Sequence, residues 1–178
     1  MIRAYELTAD RLKPAAPEGE GIIWWDLVNP DRDEETGLQK RLGLELPTRD
    51  EMQEIEISSR LYSEDGGHFM TALIPSHTDA DDAVIQPITF ILIDHRLVTI
   101  RYTEPRAFTT FPQRAEKTGL GLTSGETILL GLLEAVVDRL RHRPRSRRYR
   151  HGAASGPCGT RIRIRSKKTD RHPRSFED

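Results

Sequence analysis

The stretch Thr123–Leu140, TSGETILLGLLEAVVDRL, is the most strongly patterned in the chain. Ile128, Leu129, Leu132, Leu133, Val136, Val137 and Leu140 recur at steps of three and four, which places them on one broad apolar face of an α-helix. Thr123 followed by Glu126 has the spacing of a capping box and sets the expected start. A face of this kind has to be covered. Either the helix packs on the domain that precedes it, or it begins a longer helix that joins this domain to another body. The run is too short and too charged to cross a bilayer, which takes ~20 mostly apolar residues.

The same stretch divides the chain chemically. From Arg141 to Asp178 there are 13 Arg and Lys against 3 acids; the whole chain of 178 residues has 27 and 28, so the first 140 hold 27 − 13 = 14 and 28 − 3 = 25. The body therefore carries −11 and the tail +10. The tail is poor in apolar residues and cannot bury enough surface to offset its ordering entropy, so no regular structure is expected from about Arg143 onward. The expected organisation is a folded domain over 1–140 and a basic tail over 141–178. The single cysteine, Cys158, excludes an internal disulfide and a thiolate zinc cluster, in keeping with a reducing compartment. MIRAYELTAD has no apolar signal-peptide core and no window has the length and apolarity of a membrane span; the reading is of a soluble, cytoplasmic chain.

Along the body, Arg3–Leu7 is a first strand, Lys13–Gly21 a Pro- and Gly-rich connector, and Ile22–Val28, with Trp24-Trp25, an aromatic and β-branched strand. Asn29 is the expected cap of a helix with Pro30 in its first position, acids in its first turn, Leu38 and Leu42 as its stripe and Gly43 as its end. Thr48 and Glu51 open a second short helix that buries Met52 and Ile55. Ile57–Tyr62 and His68–Ile74 flank a hairpin loop at Ser63–Gly67; Ile88–Ile93 and Leu97–Tyr102 flank a second at Asp94–Arg96. The first strand of that second hairpin is almost wholly apolar, as in a central strand covered on both faces. Ser76–Ala83 reads as an acidic surface loop and Pro105–Lys117 as a helix.

Catalytic sets are missing from the pattern. Gly119 and Gly121 lack the third glycine of a dinucleotide loop, there is no phosphate loop or nucleophile elbow, and His68, His77 and His95 have no helical metal-ligand spacing. An enzyme is not expected. Asp79, Asp81 and Asp82 offer hard oxygen ligands of the kind Mg²⁺ takes, and such clusters are equally ordinary solvated surface. The tail, with Arg145, Arg147, Arg148 and Arg150 around Tyr149, has the charge to bind nucleic acid through phosphates; its composition is also that of a GC-rich gene read out of frame. Salt-dependent binding lost on deleting Arg141–Asp178 distinguishes the first of these.

Several segments, in order, resemble the cytoplasmic domain of the CorA family of divalent cation transporters. These are Ile23–Pro30, Leu42–Leu44 with the helix Thr48–Ile55, the paired strands Pro87–Leu92 and Leu97–Arg101, and Ile128–Leu130 with Glu134–Leu140. Together they span roughly 20–140. The resemblance implies an α/β/α sandwich with a mixed, largely antiparallel central sheet that ends in an amphipathic helix. It also implies a pentamer in which Mg²⁺, or another divalent cation such as Zn²⁺ or Co²⁺, lies between subunits and holds the closed state. The zinc-transporting ZntB branch shares the domain. Asp79, Asp81 and Asp82 fall in the region where the family carries an interface acid. The family's two membrane helices and its Gly-Met-Asn signature do not occur in this sequence. The expectation is thus a sensing and gating domain at the cytoplasmic face of the inner membrane, cut from its pore by a frameshift near codon 140, with nucleic acid the lesser alternative as partner.

Overall fold

The structure, a computed structural model, describes residues 1–54, 60–76, 82–141 and 148–151. In chain order the elements are β1 (Ile2–Thr8), β2 (Arg11–Ala15), β3 (Ile22–Val28), α1 (Arg32–Leu42), α2 (Arg49–Glu54), β4 (Leu61–Glu64), β5 (Gly67–Ser76), β6 (Asp82–Ile93), β7 (Arg96–Arg101), α3 (Ala107–Lys117), α4 (Gly125–Arg141) and β8 (Arg148–His151). Seven strands form one sheet in the order β2-β1-β3-β7-β6-β5-β4, and β8 joins it on β6. Among the described residues, β3 with β7 and β6 with β8 run parallel and every other pair is antiparallel.

Alternation along the central strands assigns each side chain to a face. Trp24 goes to the face covered by α3 and α4, with Phe90, Leu97, Phe108, Phe111, Ile128 and Leu132. Trp25 goes to the opposite face, with Leu38 of α1, Met52 of α2, Ile91, Val98 and Ile100. The adjacent tryptophans thus serve two separate cores, at 0% and 1% exposure. This is the α/β/α sandwich with a mixed, largely antiparallel sheet, and β6 is the doubly covered central strand its sequence announces.

Turn chemistry sets the hairpins. Asp65-Gly66 and Asp94-His95 both hold positive φ, at 48° and 77° and at 46° and 61°, as tight two-residue turns require. The first hairpin loop is therefore shorter than Ser63–Gly67, since Ser63, Glu64 and Gly67 belong to strands.

Three local expectations change. The connector at Lys13–Gly21 begins inside a strand: Ala9 and Asp10 turn with positive φ and β2 pairs back on β1, its Pro14 tolerated because β2 is the sheet's edge. The cap of α1 is Asp31 rather than Asn29; the Asp31 carboxylate accepts from the amides of Asp33 and Glu34, and Glu34 accepts from the Asp31 amide. Asn29 instead sits at φ 44° and its amide donates to the Arg101 carbonyl, which ends β3 against β7. The tail was expected to hold no regular structure from Arg143 on, and four of its residues form β8. Ile55 and the start of the strand expected at Ile57 lie outside the described residues.

Candidate functional site

Two constructions distinguish this domain from a generic sandwich: a saturated ion pair at its centre and a helix fixed at two points of close approach.

The ion pair grows from the parallel contact of β3 and β7 in the middle of the sheet. Register places Asp26 beside Thr99, with Arg101 two residues on and on the same face. Asp26 Oδ1 accepts from Thr99 Oγ1 at 2.8 Å and from Arg101 Nε at 2.9 Å, and its Oδ2 accepts from Arg101 Nη2 at 2.8 Å. Arg101 Nη1 donates to the Thr103 carbonyl at 2.7 Å, and Trp24 Nε1 donates to Thr99 Oγ1 at 3.0 Å. The guanidinium also lies over the Phe108 ring, 4.9 Å from its centroid, which links the network to α3. Both charged side chains are fully buried. Three of the roughly four acceptor positions of the Asp26 carboxylate are taken, two of them by the bidentate guanidinium, and its charge is neutralised within the core. Asp26 clamps β3 to β7.

Beside this network lies a groove of about 290 Å³ between β1, β2 and α3, lined in part by Arg3, Tyr5, Glu104, Gln113 and Glu116. Burial, and then the nearby Asp26 carboxylate, push the Tyr5 hydroxyl above its ordinary pKa, and Tyr5 stacks on Trp24 at 4.7 Å. Arg3 and Glu104 close on each other at 2.8 Å at its rim.

The second construction positions α4. Gly125 lies so close to the β6–β7 turn that a Cβ would meet the Arg96 carbonyl carbon at 2.5 Å and the Leu97 nitrogen at 2.7 Å; its amide donates to the His95 carbonyl. One turn and a half further on, Gly131 admits the Phe111 ring of α3, which a Cβ would meet at 2.5 Å. The expected capping box of Thr123 with Glu126 gives way to another arrangement. Thr127 Oγ1 accepts from the amides of Thr123 and Ser124, while Glu126 reaches His95 at 2.9 Å. Hydrogen bonds from Ser124, from its own backbone and from His95 hold the Glu126 carboxyl below its usual pKa. Around and past Gly131 the helix keeps Leu132 buried but leaves Leu130, Val137 and Leu140 exposed.

The sequence-derived metal set is only partly placed. Asp82 opens β6, where its register partner is Arg148, and Asp79 and Asp81 lie outside the described residues. Among the described residues, no three His, Cys, Asp or Glu side chains gather as a metal site would. Of the tail arginines, Arg148 and Arg150 lie in β8, and Arg145 and Arg147 lie outside the described residues. Sequence reasoning passed over the Asp26–Arg101 pair, although a charge in each of two otherwise apolar strands was a usable signal. It also passed over Gly125 and Gly131, glycines within a helical pattern that call for a packing reason.

The fold and its fixed helix define a three-layer α/β/α domain that presents α4 with part of its apolar stripe uncovered. Among the described residues no helix is long and apolar enough to cross a membrane. The family model described as "CorA-like Mg2+ transporter protein" matches residues 19–146, and the chain belongs to that family, one of transporters rather than enzymes. The magnesium transport protein CorA of Escherichia coli K12 is 31% identical over 144 residues, covering 79% of this chain and 46% of that protein. The CorA of Salmonella typhimurium LT2 matches to the same extent. The chain thus spans about half the length of these relatives. In fold it is similar to the soluble domain of CorA from Methanocaldococcus jannaschii, with a TM-score of 0.58 at 15% identity over 79% of this chain and 57% of that one. It is also similar to the ZntB cytoplasmic domain from Vibrio parahaemolyticus, with a TM-score of 0.56 at 14% identity over 78% and 58%.

Proposed function

We propose that the chain is the sensing and gating domain of a divalent-cation transporter, with Mg²⁺ as the cation and the cytoplasmic face of the inner membrane as its place of work. Zn²⁺ and Co²⁺ are the competing cations, given the similarity to a ZntB domain. The observation that carries the reading is the double fixing of α4, at Gly125 on the β6–β7 turn and at Gly131 on Phe111. A gating domain has to pass a displacement of its sheet to whatever follows it, and a helix held at two points moves with the sheet instead of hinging at its start.

In this reading Asp79, Asp81 and Asp82 lie at a boundary between neighbouring subunits of a homo-oligomer, a pentamer by family resemblance. A divalent cation that bridges carboxylates from two subunits offsets their repulsion, and its loss at low concentration lets the subunits part. The cation is both the cargo and the signal. Conduction itself belongs to a pore outside the matched region.

Calorimetric titration of the chain with MgCl₂ tests the reading. Saturable binding is expected, and the triple variant Asp79→Asn, Asp81→Asn, Asp82→Asn is expected to lose it. No binding heat at millimolar Mg²⁺, or equal binding by the triple variant, rejects this site.

A further inference from the structure

β6 is longer than its cover. On one side β5 pairs with it from Val84 to Leu92, whereas on the other β7 pairs with it only from Ile88 to Ile93. The strand therefore begins with a stretch whose second edge β7 does not reach. Backbone groups on such an edge need partners and template the addition of another strand.

β8 takes most of that edge. It runs parallel to β6 with Asp82 opposite Arg148, Ala83 opposite Tyr149, Val84 opposite Arg150 and Ile85 opposite His151. Because β5 already holds Val84 and Ile85 from the other side, β8 continues the line of β7. The connection is short. The last turn of α4, at Val136, Arg139 and Leu140, shares a cleft with Ile74 and Pro75, and Pro75 is the register partner of Ile85. From Arg141 to Arg148 an extended chain reaches about 25 Å, ample for a neighbouring strand position.

Charge agrees with the direction of pairing. In a parallel pair the chain enters both strands from the same end. The register accordingly sets an acidic and a basic residue, Asp82 and Arg148, opposite each other where both strands begin. An antiparallel strand over the same residues would set His151 opposite Asp82 instead.

We infer that the Asp82–Ile85 edge of β6 is a docking edge for an extended basic segment, and that the chain's own Arg148–His151 occupies it as a strap. Main-chain pairing supplies the attachment and opposite charge selects the direction. The strap needs no bound cation, although it shares Asp82 with the cation site proposed above.

Hydrogen exchange read by mass spectrometry on the full chain tests it, without divalent cation. The variant Tyr149→Pro with Arg150→Pro removes two strand amides, and Arg148→Gln with Arg150→Gln keeps them while removing charge. A fragment covering 82–86 is expected to exchange about tenfold more slowly in the natural chain than in the double-proline chain at low salt. The glutamine variant falls between them, and its difference from the natural chain shrinks as salt rises. Fragments from β3 and β7, unchanged in all three, separate release of the strap from loss of the fold. Equal exchange of 82–86 in the natural and double-proline chains overturns the strap; equal exchange in the natural and glutamine chains overturns the role of charge.

Discussion

At the scale of single residues, the Asp26–Arg101 pair is a commitment that one substitution exposes. Two charges at 0% exposure stand only because each satisfies the other and Thr99 and Thr103 complete the shell. Arg101→Met leaves a buried carboxylate with one hydroxyl partner and is expected to cost about 3–5 kcal/mol in urea denaturation. Replacing both, Asp26→Leu with Arg101→Met, removes the stranded charge and is expected to recover most of that loss. A double variant no more stable than the single one contradicts this. Tyr102 provides a pH test. Burial and then the Glu35 carboxylate push its hydroxyl up from 10.0 to about 12. Its neutral form is thus favoured in the folded state, and the stability this gives, intact below pH 10.0, is lost as pH rises to about 12. Tyr102→Phe is expected to flatten the fall in urea midpoint across that window, and an unchanged slope shows that another group controls it.

At the scale of elements, the sequence exposes whatever periodicity and turn chemistry govern, and hides whatever depends on a distant partner. The cap of α2 reads directly, since Thr48 and Glu51 hold each other within one turn. The cap of α1 does not. Asn29 and Asp31 are equally good caps by residue type, and the choice falls to Asp31 because the Asn29 amide goes to the Arg101 carbonyl at the end of a strand far along the chain. β2 was masked by Pro14, which only an edge position excuses, and edge positions emerge from topology. The candidate metal acids were legible as composition alone, because a cluster of loop carboxylates carries no periodicity that fixes its geometry. Glycines show the same divide. Gly37 lies within α1 with open space around a built Cβ, so Gly37→Ala is expected to stabilise by about 0.5–1 kcal/mol through lower unfolded-state entropy. Gly125→Ala drives a methyl into the backbone of Arg96 and Leu97 and is expected to cost about 1–3 kcal/mol. Thermal denaturation of the two variants reads both signs; a neutral Gly125→Ala means that α4 is not pressed on the turn.

At the scale of the whole molecule, the open question is what α4 can assemble by itself. Leu130, Val137 and Leu140 are 59%, 44% and 37% exposed and fall at steps of seven and three, the spacing of a seam along one helix face. Three partly exposed side chains offer at most a few hundred Å², against ~800 Å² per partner in a stable interface. Leu132, about 200° from Leu130 around the helix, is wholly buried against the sheet, so the helix spends its better face on its own domain. Sedimentation velocity at low micromolar concentration is therefore expected to show a monomer, with weak association as concentration rises. Leu130→Glu with Val137→Glu is expected to abolish that association and to shift folding stability by no more than about 0.5 kcal/mol, as surface substitutions do. Association that survives the double variant places the contact on another face. A stable pentamer under these conditions contradicts the area estimate outright and locates the assembly determinants within the sandwich, so that α4 transmits a change the sheet layers have already made.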